Sequence, residues 1–181
     1  MKHFNPFTDR LCRDIRNDLS KALMTSLRHL DLSPAQEIAN NYLTTDLQPL
    51  YRQYIDDRMK RYSRVLQSIS STHSTDAFSR ALILWDEELF FEVHELLEHA
   101  WLHSTVGVDK LILQAMIRAA GMYVQLDRDN LKGAASMAAK AVEVLECNRS
   151  EVPDLFDLDL LLNKLKEVDP VPPKLMRKKS K

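Results

Sequence analysis

Apolar side chains recur along most of this chain at intervals of three and four residues, which is the spacing of one face of an α-helix. The first such segment runs from about residue 8 to 30, and a second runs from about 46 to 69 with basic residues on its other positions. The apolar face of the first segment consists of Ile15, Leu19, Leu23 and Leu27. No segment alternates with the period of two that marks a β-strand. The pattern predicts an all-α protein.

Two short polar turns divide the next region into three helices, predicted at 87–103, 108–126 and 131–147. Asp86 is expected to cap the first of them, because Asp is a favoured N-cap residue. Turns of this length place consecutive helices antiparallel. We therefore expect a compact multi-helix array around a central antiparallel helical hairpin.

The polar run Ser-Ser-Thr-His-Ser-Thr that ends at residue 75 predicts a break between the N-terminal helices, 1–75, and a core at 76–148. A C-terminal helix follows within 149–169. The last segment, 170–181, has three prolines and five basic residues, so we expect it to be disordered and dispensable for folding.

Length, charge and composition exclude several classes of protein. The chain has 181 residues, which favours a single domain, and a formal net charge of −1, which argues against a globally basic nucleic-acid binder. Neither glycine-rich phosphate-binding motif is present. No stretch is long and apolar enough for a membrane span, and the charged N-terminus is not a signal peptide. Two distant cysteines without a CxxC motif are typical of reduced thiols, so a cytoplasmic location is predicted.

Charge concentrates in the middle of the chain. Residues 76–106 carry seven acidic side chains and one arginine, together with three of the six histidines. Such a density of Asp, Glu and His is where metal or acid–base chemistry would lie.

A helical wheel of the segment 90–101 places two ionisable residues on its apolar side. His94 and Glu98 fall one turn apart in the arc formed by Phe90, Leu97 and Trp101. A buried ionisable group requires a partner or a shifted pKa. We therefore expect a buried His94–Glu98 pair whose disruption destabilises the fold.

The opposite side of this helix is acidic. Glu88, Glu92, Glu95 and His99 recur there at spacings of four, three and four. One interpretation is a solvated stripe, in which case Glu92→Ala costs little stability. The other is a cation held by Glu92, Glu95 and His99.

Known metal motifs are incomplete in this helix. His94-Glu95-Leu-Leu-Glu98 has Glu where the H-E-x-x-H zinc motif needs its second His, and there is no E-x-x-H pair of the di-iron type. The following helix brings a polar stripe that includes Gln114 and Arg118, from which Arg118 could reach Glu98. Together with Trp101, these two residues are the predicted supporting residues of the site.

The motif Phe91-Glu92-x-His94-Glu95-x-Leu97-Glu98-x-x-Trp101, followed by Leu113-Gln114, Ala119-Ala120 and Gly133-Ala134, resembles the domain-of-unknown-function 309 family. The resemblance covers about 76–147. It implies an all-helical fold, and the family's orthologous group is labelled a predicted metal-dependent hydrolase.

By this resemblance, His94, Glu95 and Glu98 are the residues to carry over as candidate metal ligands or catalytic groups. Relatives usually have Asn-x-Gly before the His-Glu helix, where this chain has Asp86 and Glu88. A histidine common late in the second helix is replaced here.

Three hypotheses remain from the sequence. The first is a structural or interaction module fixed by the buried His94/Glu98 cluster, with a protein partner or self-association. The second is a metal-dependent hydrolase that uses a divalent ion held by His94, Glu98 and Glu95. The third is binding of nucleic acid or an acidic partner through the basic face Arg52–Arg64. The sequence leaves open whether the protein is an enzyme.

Overall fold

A computed structural model of the chain describes residues 4–176, and every regular element in that range is helical. The all-α prediction is confirmed there, since the single β feature among these residues is an isolated bridge between Phe156 and Met176. The helices are α1 Arg10–His29, α2 Ser33–Leu43, α3 Pro49–Thr72, α4 Ala77–Asp86, α5 Phe90–His103, α6 Val108–Leu126, α7 Leu131–Cys147 and α8 Leu158–Glu167.

The chain divides into two compact units, residues 1–73 and 74–181, rather than the one that its length suggests. In the first unit, the predicted apolar face of α1 is buried. Two tyrosines connect the other helices to this element. The Tyr42 hydroxyl on α2 donates to Asp18 Oδ2 at 2.6 Å, and the Tyr51 hydroxyl on α3 donates to Asp9 Oδ2 at 2.9 Å.

The second unit is built around α5, α6 and α7, in which α6 packs against both of the other helices. Small residues allow α6 and α7 to approach closely. A Cβ at Gly121 would lie 2.7 Å from Met137 Sδ, so only glycine fits this contact without a shift. The core of the unit adds Leu161, Leu162 and Leu165 from α8.

The turn between α4 and α5 differs from the prediction. Asp86 is the last residue of α4 and does not cap α5, which begins at Phe90 after Leu89. Within the turn, Glu88 adopts a left-handed backbone conformation with φ of 57°. Glycine adopts such a conformation without a steric penalty, whereas the Cβ of Glu88 makes it unfavourable.

Glu88→Gly is expected to stabilise the protein by about 0.5–1 kcal/mol, because relief of the left-handed strain exceeds the added chain entropy of glycine. The substitution also removes the ion pair between Glu88 and Lys174 Nζ, but this pair is exposed and 3.6 Å long, so it contributes little. Urea denaturation would measure the change. The matched control is Glu87→Gly at φ of −89°, which should destabilise; equal effects of the two variants would contradict the strain argument.

The segment 170–176 is ordered, so the prediction of a disordered tail is wrong for these residues. The Trp85 Nε1–H donates to the Pro173 carbonyl at 3.0 Å, and Leu175 is 1% exposed. The Asp86 carboxylate accepts from the backbone N–H of Leu175 at 2.6 Å and of Met176 at 3.1 Å. We call residues 170–176 the C-terminal strap. The rest of the predicted tail, 177–181, lies outside the described residues.

Candidate functional site

The buried face of α5 lies elsewhere than the helical wheel placed it. Val93 and Leu97 are buried together with Phe90, whereas His94 is partly exposed and Glu98 is exposed. The expectation of a buried His94–Glu98 pair is therefore wrong. The wheel counted Trp101 as a core residue, which drew the predicted arc towards His94, but Trp101 is only partly buried.

Glu92 is the buried carboxylate of α5. Its exposure is 0%, although the wheel assigned it to the solvated acidic stripe, so that assignment is wrong. Because Glu92 is buried, it cannot join Glu95 and His99 in a cation site that is open to solvent. Glu92 has an interaction partner within the chain, as a buried carboxylate requires. Nothing in its sequence spacing distinguishes it from the exposed acids around it.

The three side chains carried over from the family resemblance do come together. His94, Glu95 and Glu98 each offer one ligand atom, and these atoms lie within 4.8 Å of one another. His94 and Glu98 are one helical turn apart, so they project from neighbouring positions of α5. We call these three residues the His94 cluster.

The imidazole of His94 has a polar atom that the protein leaves without a hydrogen bond. His94 Nδ1 is inaccessible to solvent and has no hydrogen-bond partner among the described residues. Glu95 Oε1 lies 3.5 Å from this atom, and the two side chains are 36% and 37% exposed. A shielded ring nitrogen next to a carboxylate oxygen fits the donor set of a metal site.

The predicted supporting residues contribute less than expected. Gln114 and Arg118 are partly buried on α6, but neither side chain forms a hydrogen bond or ion pair within residues 4–176, so the expected contact from Arg118 to Glu98 is not formed. Trp101 instead lies below Lys110, whose Nζ is 4.5 Å from the ring centroid. Trp101 thus supports the turn between α5 and α6.

An aromatic cluster lies behind the start of α5, and the sequence pattern does not reveal it. Tyr123 is stacked on Phe90 at 4.6 Å between centroids and meets Trp85 edge-on at 5.4 Å. Burial is the main cause that raises the pKa of Tyr123, with a smaller contribution from the charge of Asp169. Tyr123 is therefore a neutral packing residue.

Several basic residues of α3 are engaged within their own unit. Arg52 donates to the backbone carbonyls of Leu43, Thr45 and Leu47 at 2.9–3.2 Å. Arg58 lies over the Tyr54 ring at 4.9 Å, and Arg61 Nε lies 2.8 Å from Asp57 Oδ2. At least three of the five basic side chains of the face Arg52–Arg64 thus have local contacts, which leave fewer N–H donors for a partner, and the Arg61–Asp57 pair also reduces the net charge of the face.

The fold and the site define an all-α domain whose central helix presents one histidine and two glutamates. Residues 78–137 match the model of the family described as "Domain of unknown function (DUF309)", which confirms the family assignment for that part of the chain. The matched residues run from α4 through α5 and α6 into α7. No curated protein and no solved structure gives a significant match.

Among residues 4–176, no helix has the length and apolar character that crossing a membrane requires. Both cysteines are free thiols: Cys12 is buried and Cys147 is exposed. The reduced state expected from the sequence agrees with this arrangement. The cytoplasmic location stays a prediction.

Proposed function

We propose that the domain formed by α4 to α7 binds a divalent cation through His94, Glu95 and Glu98. The observation that carries this proposal is the convergence of three ligand atoms within 4.8 Å. Because the cluster is partly open to solvent, an ion there would keep positions for water or for a ligand from outside. Three protein ligands with an open position are typical of sites that do chemistry or exchange ligands.

The donor types narrow the choice of ion. One imidazole nitrogen and two carboxylates suit Zn²⁺, Mn²⁺ or Fe²⁺, whereas a site for Ca²⁺ would need more oxygen ligands. His94 Nδ1 supports this assignment, since it is shielded from water and has no hydrogen-bond partner among the described residues. A cation would also relieve the repulsion between Glu95 and Glu98, which are three residues apart on one helix.

The two other hypotheses lose support. A module fixed by a buried His94/Glu98 pair requires burial that these side chains do not have. A basic interface on α3 requires charges that are in part engaged within the chain. The hydrolase activity implied by the family label depends on an ion at this site, which would lower the pKa of a bound water.

Titration with Mn²⁺, followed by loss of the free-ion signal in electron paramagnetic resonance, is the direct test. We expect one site per chain, and His94→Ala, Glu95→Gln or Glu98→Gln should each weaken binding by about tenfold or more. The triple variant should bind no Mn²⁺ at this site. Added Mn²⁺ should also raise the melting temperature of the wild-type protein in a concentration-dependent way.

Two exposed residues outside the cluster provide matched controls. His29→Ala removes an exposed histidine of α1, and Glu143→Gln removes an exposed carboxylate of α7. Both variants should bind Mn²⁺ like the wild-type protein. The proposal is wrong if the wild-type chain binds no Mn²⁺ or Zn²⁺, or if the controls weaken binding as much as the cluster variants do.

A further inference from the structure

The last turn of α5 carries two exposed histidines that belong neither to the His94 cluster nor to the core. His99 and His103 are four residues apart, and their ring centroids lie 4.4 Å from each other with an interplanar angle of 31°. Both side chains are exposed to solvent. We propose that this pair is a second metal site, which takes a transition-metal ion such as Cu²⁺, Ni²⁺ or Zn²⁺.

The spacing of the two rings fits one ion between them. Two imidazole nitrogens bound to the same ion are at most about 4 Å apart, because each metal–nitrogen bond is about 2.0–2.1 Å. The centroids of the two rings are 4.4 Å apart. Small side-chain rotations are therefore enough to bring one nitrogen of each ring to this separation. Since both rings lie one turn apart on the same helix, ion binding requires no movement of the backbone.

A backbone hydrogen bond already selects the tautomer that a metal needs. His103 Nδ1–H donates to the His99 carbonyl at 2.7 Å, and a carbonyl oxygen can only accept. In the neutral ring Nε2 is therefore the nitrogen with a free lone pair, available as a ligand. Metal-ligating histidines commonly donate their other ring N–H to a backbone carbonyl, which holds the ring in place.

The position in the helix also favours a cation. His103 is the last residue of α5, where the carbonyl groups of the final turn give a negative end to the helix dipole. An ion held there adds positive charge at the end of the helix that attracts it. This effect is local, so it acts on the pair more than on the His94 cluster at the middle of α5.

The donor set separates this site from the first one. Two neutral imidazoles without a carboxylate favour Cu²⁺ over harder ions such as Mn²⁺, in keeping with the order of divalent-metal affinities. The remaining coordination positions face solvent, because both side chains are exposed. The pair would therefore exchange its ion with small ligands or with a donor on another molecule. This inference does not depend on cation binding by the His94 cluster.

The test uses Cu²⁺ and electron paramagnetic resonance, in which bound nitrogens split the copper signal. We expect one Cu²⁺ per chain with two coupled imidazole nitrogens. His99→Ala and His103→Ala should each weaken Cu²⁺ binding by about tenfold or more and reduce the coupled nitrogens to one. His29→Ala also removes one histidine and should leave both readouts unchanged.

A second set of variants distinguishes the two sites. The chain with His94→Ala, Glu95→Gln and Glu98→Gln together should retain the two-nitrogen copper signal, even though it has lost Mn²⁺ binding. If the copper signal disappears in this triple variant and survives His99→Ala, the ion is held by the His94 cluster and the pair is not a site. A wild-type signal with a single coupled nitrogen, or no copper binding, would likewise overturn the proposal.

Discussion

Truncation of the chain after Asp169 is expected to destabilise the second unit by about 3 kcal/mol or more, although the composition of the tail suggests no effect. Burial of one leucine side chain contributes about 1.5–3 kcal/mol, and Leu175 is fully buried in the strap. Truncation also removes the acceptor of the Trp85 indole N–H and both backbone donors to Asp86. Each such loss costs about 1 kcal/mol when the remaining group stays shielded.

Thermal and urea denaturation would measure this effect, with a fall in melting temperature of roughly 10 °C for a chain of this size. Two point variants within the strap distinguish the effect of lost side-chain packing from the effect of shortening the chain. Leu175→Ala should cost about 2 kcal/mol or more, whereas Val171→Ala should be nearly neutral, because Leu175 is 1% exposed and Val171 is 64% exposed. Equal stability of the truncated and the full chain would show that the strap does not dock in solution.

Glu92→Ala is expected to destabilise the protein by about 3 kcal/mol, the reverse of what the pattern of α5 suggests. Glu92 has no solvent exposure and has an interaction partner within the chain. Its removal leaves a cavity in the core and breaks that interaction, and the loss of a buried charged group that has a partner typically costs about 3–5 kcal/mol. Chemical denaturation with a two-state fit gives the change in free energy of unfolding.

Glu98→Ala is the matched control for Glu92→Ala. It removes the same side chain from the same helix, but at an exposed position, so it should change stability by less than about 0.5 kcal/mol. The helical wheel predicts the opposite order for the two variants. A large loss of stability for Glu98→Ala together with a small loss for Glu92→Ala would support the helical-wheel assignment and contradict the buried face of α5 described above.

The helices could be predicted from the amino-acid sequence, because their signals are local. A period of 3.6 residues is visible within any ten to fifteen residues, and it predicted the buried face of α1 correctly. The N-cap at Asp76, whose carboxylate accepts from the Ser79 N–H at 2.8 Å, was equally predictable from residue type. The His94 cluster was expected from the family resemblance rather than from spacing, because the helical wheel placed Glu95 on the opposite side of α5 from His94 and Glu98.

Which side of α5 is buried depends on the packing between helices. Large aromatic residues such as Phe91 and Trp101 can lie at the edge of a buried face as well as at its centre. Their positions on the helical wheel therefore fix the direction of the buried face only to within tens of degrees. Val93 settles it in the structure, because it is buried together with Leu97. With the buried face centred on Val93 and Leu97, Glu98 lies on the exposed side of α5 and Glu92 lies on the buried side.

The strap likewise depends on distant partners. The acceptor of the Leu175 N–H lies 89 residues earlier in the chain, on Asp86. Composition indicates whether a segment can form structure alone, and the three prolines of 170–176 indicate that this segment cannot. It cannot indicate whether another part of the fold presents a carboxylate, an indole N–H and an apolar surface to that segment. Those partners come together only once the second unit has folded, and so no local pattern in the sequence could reveal the strap.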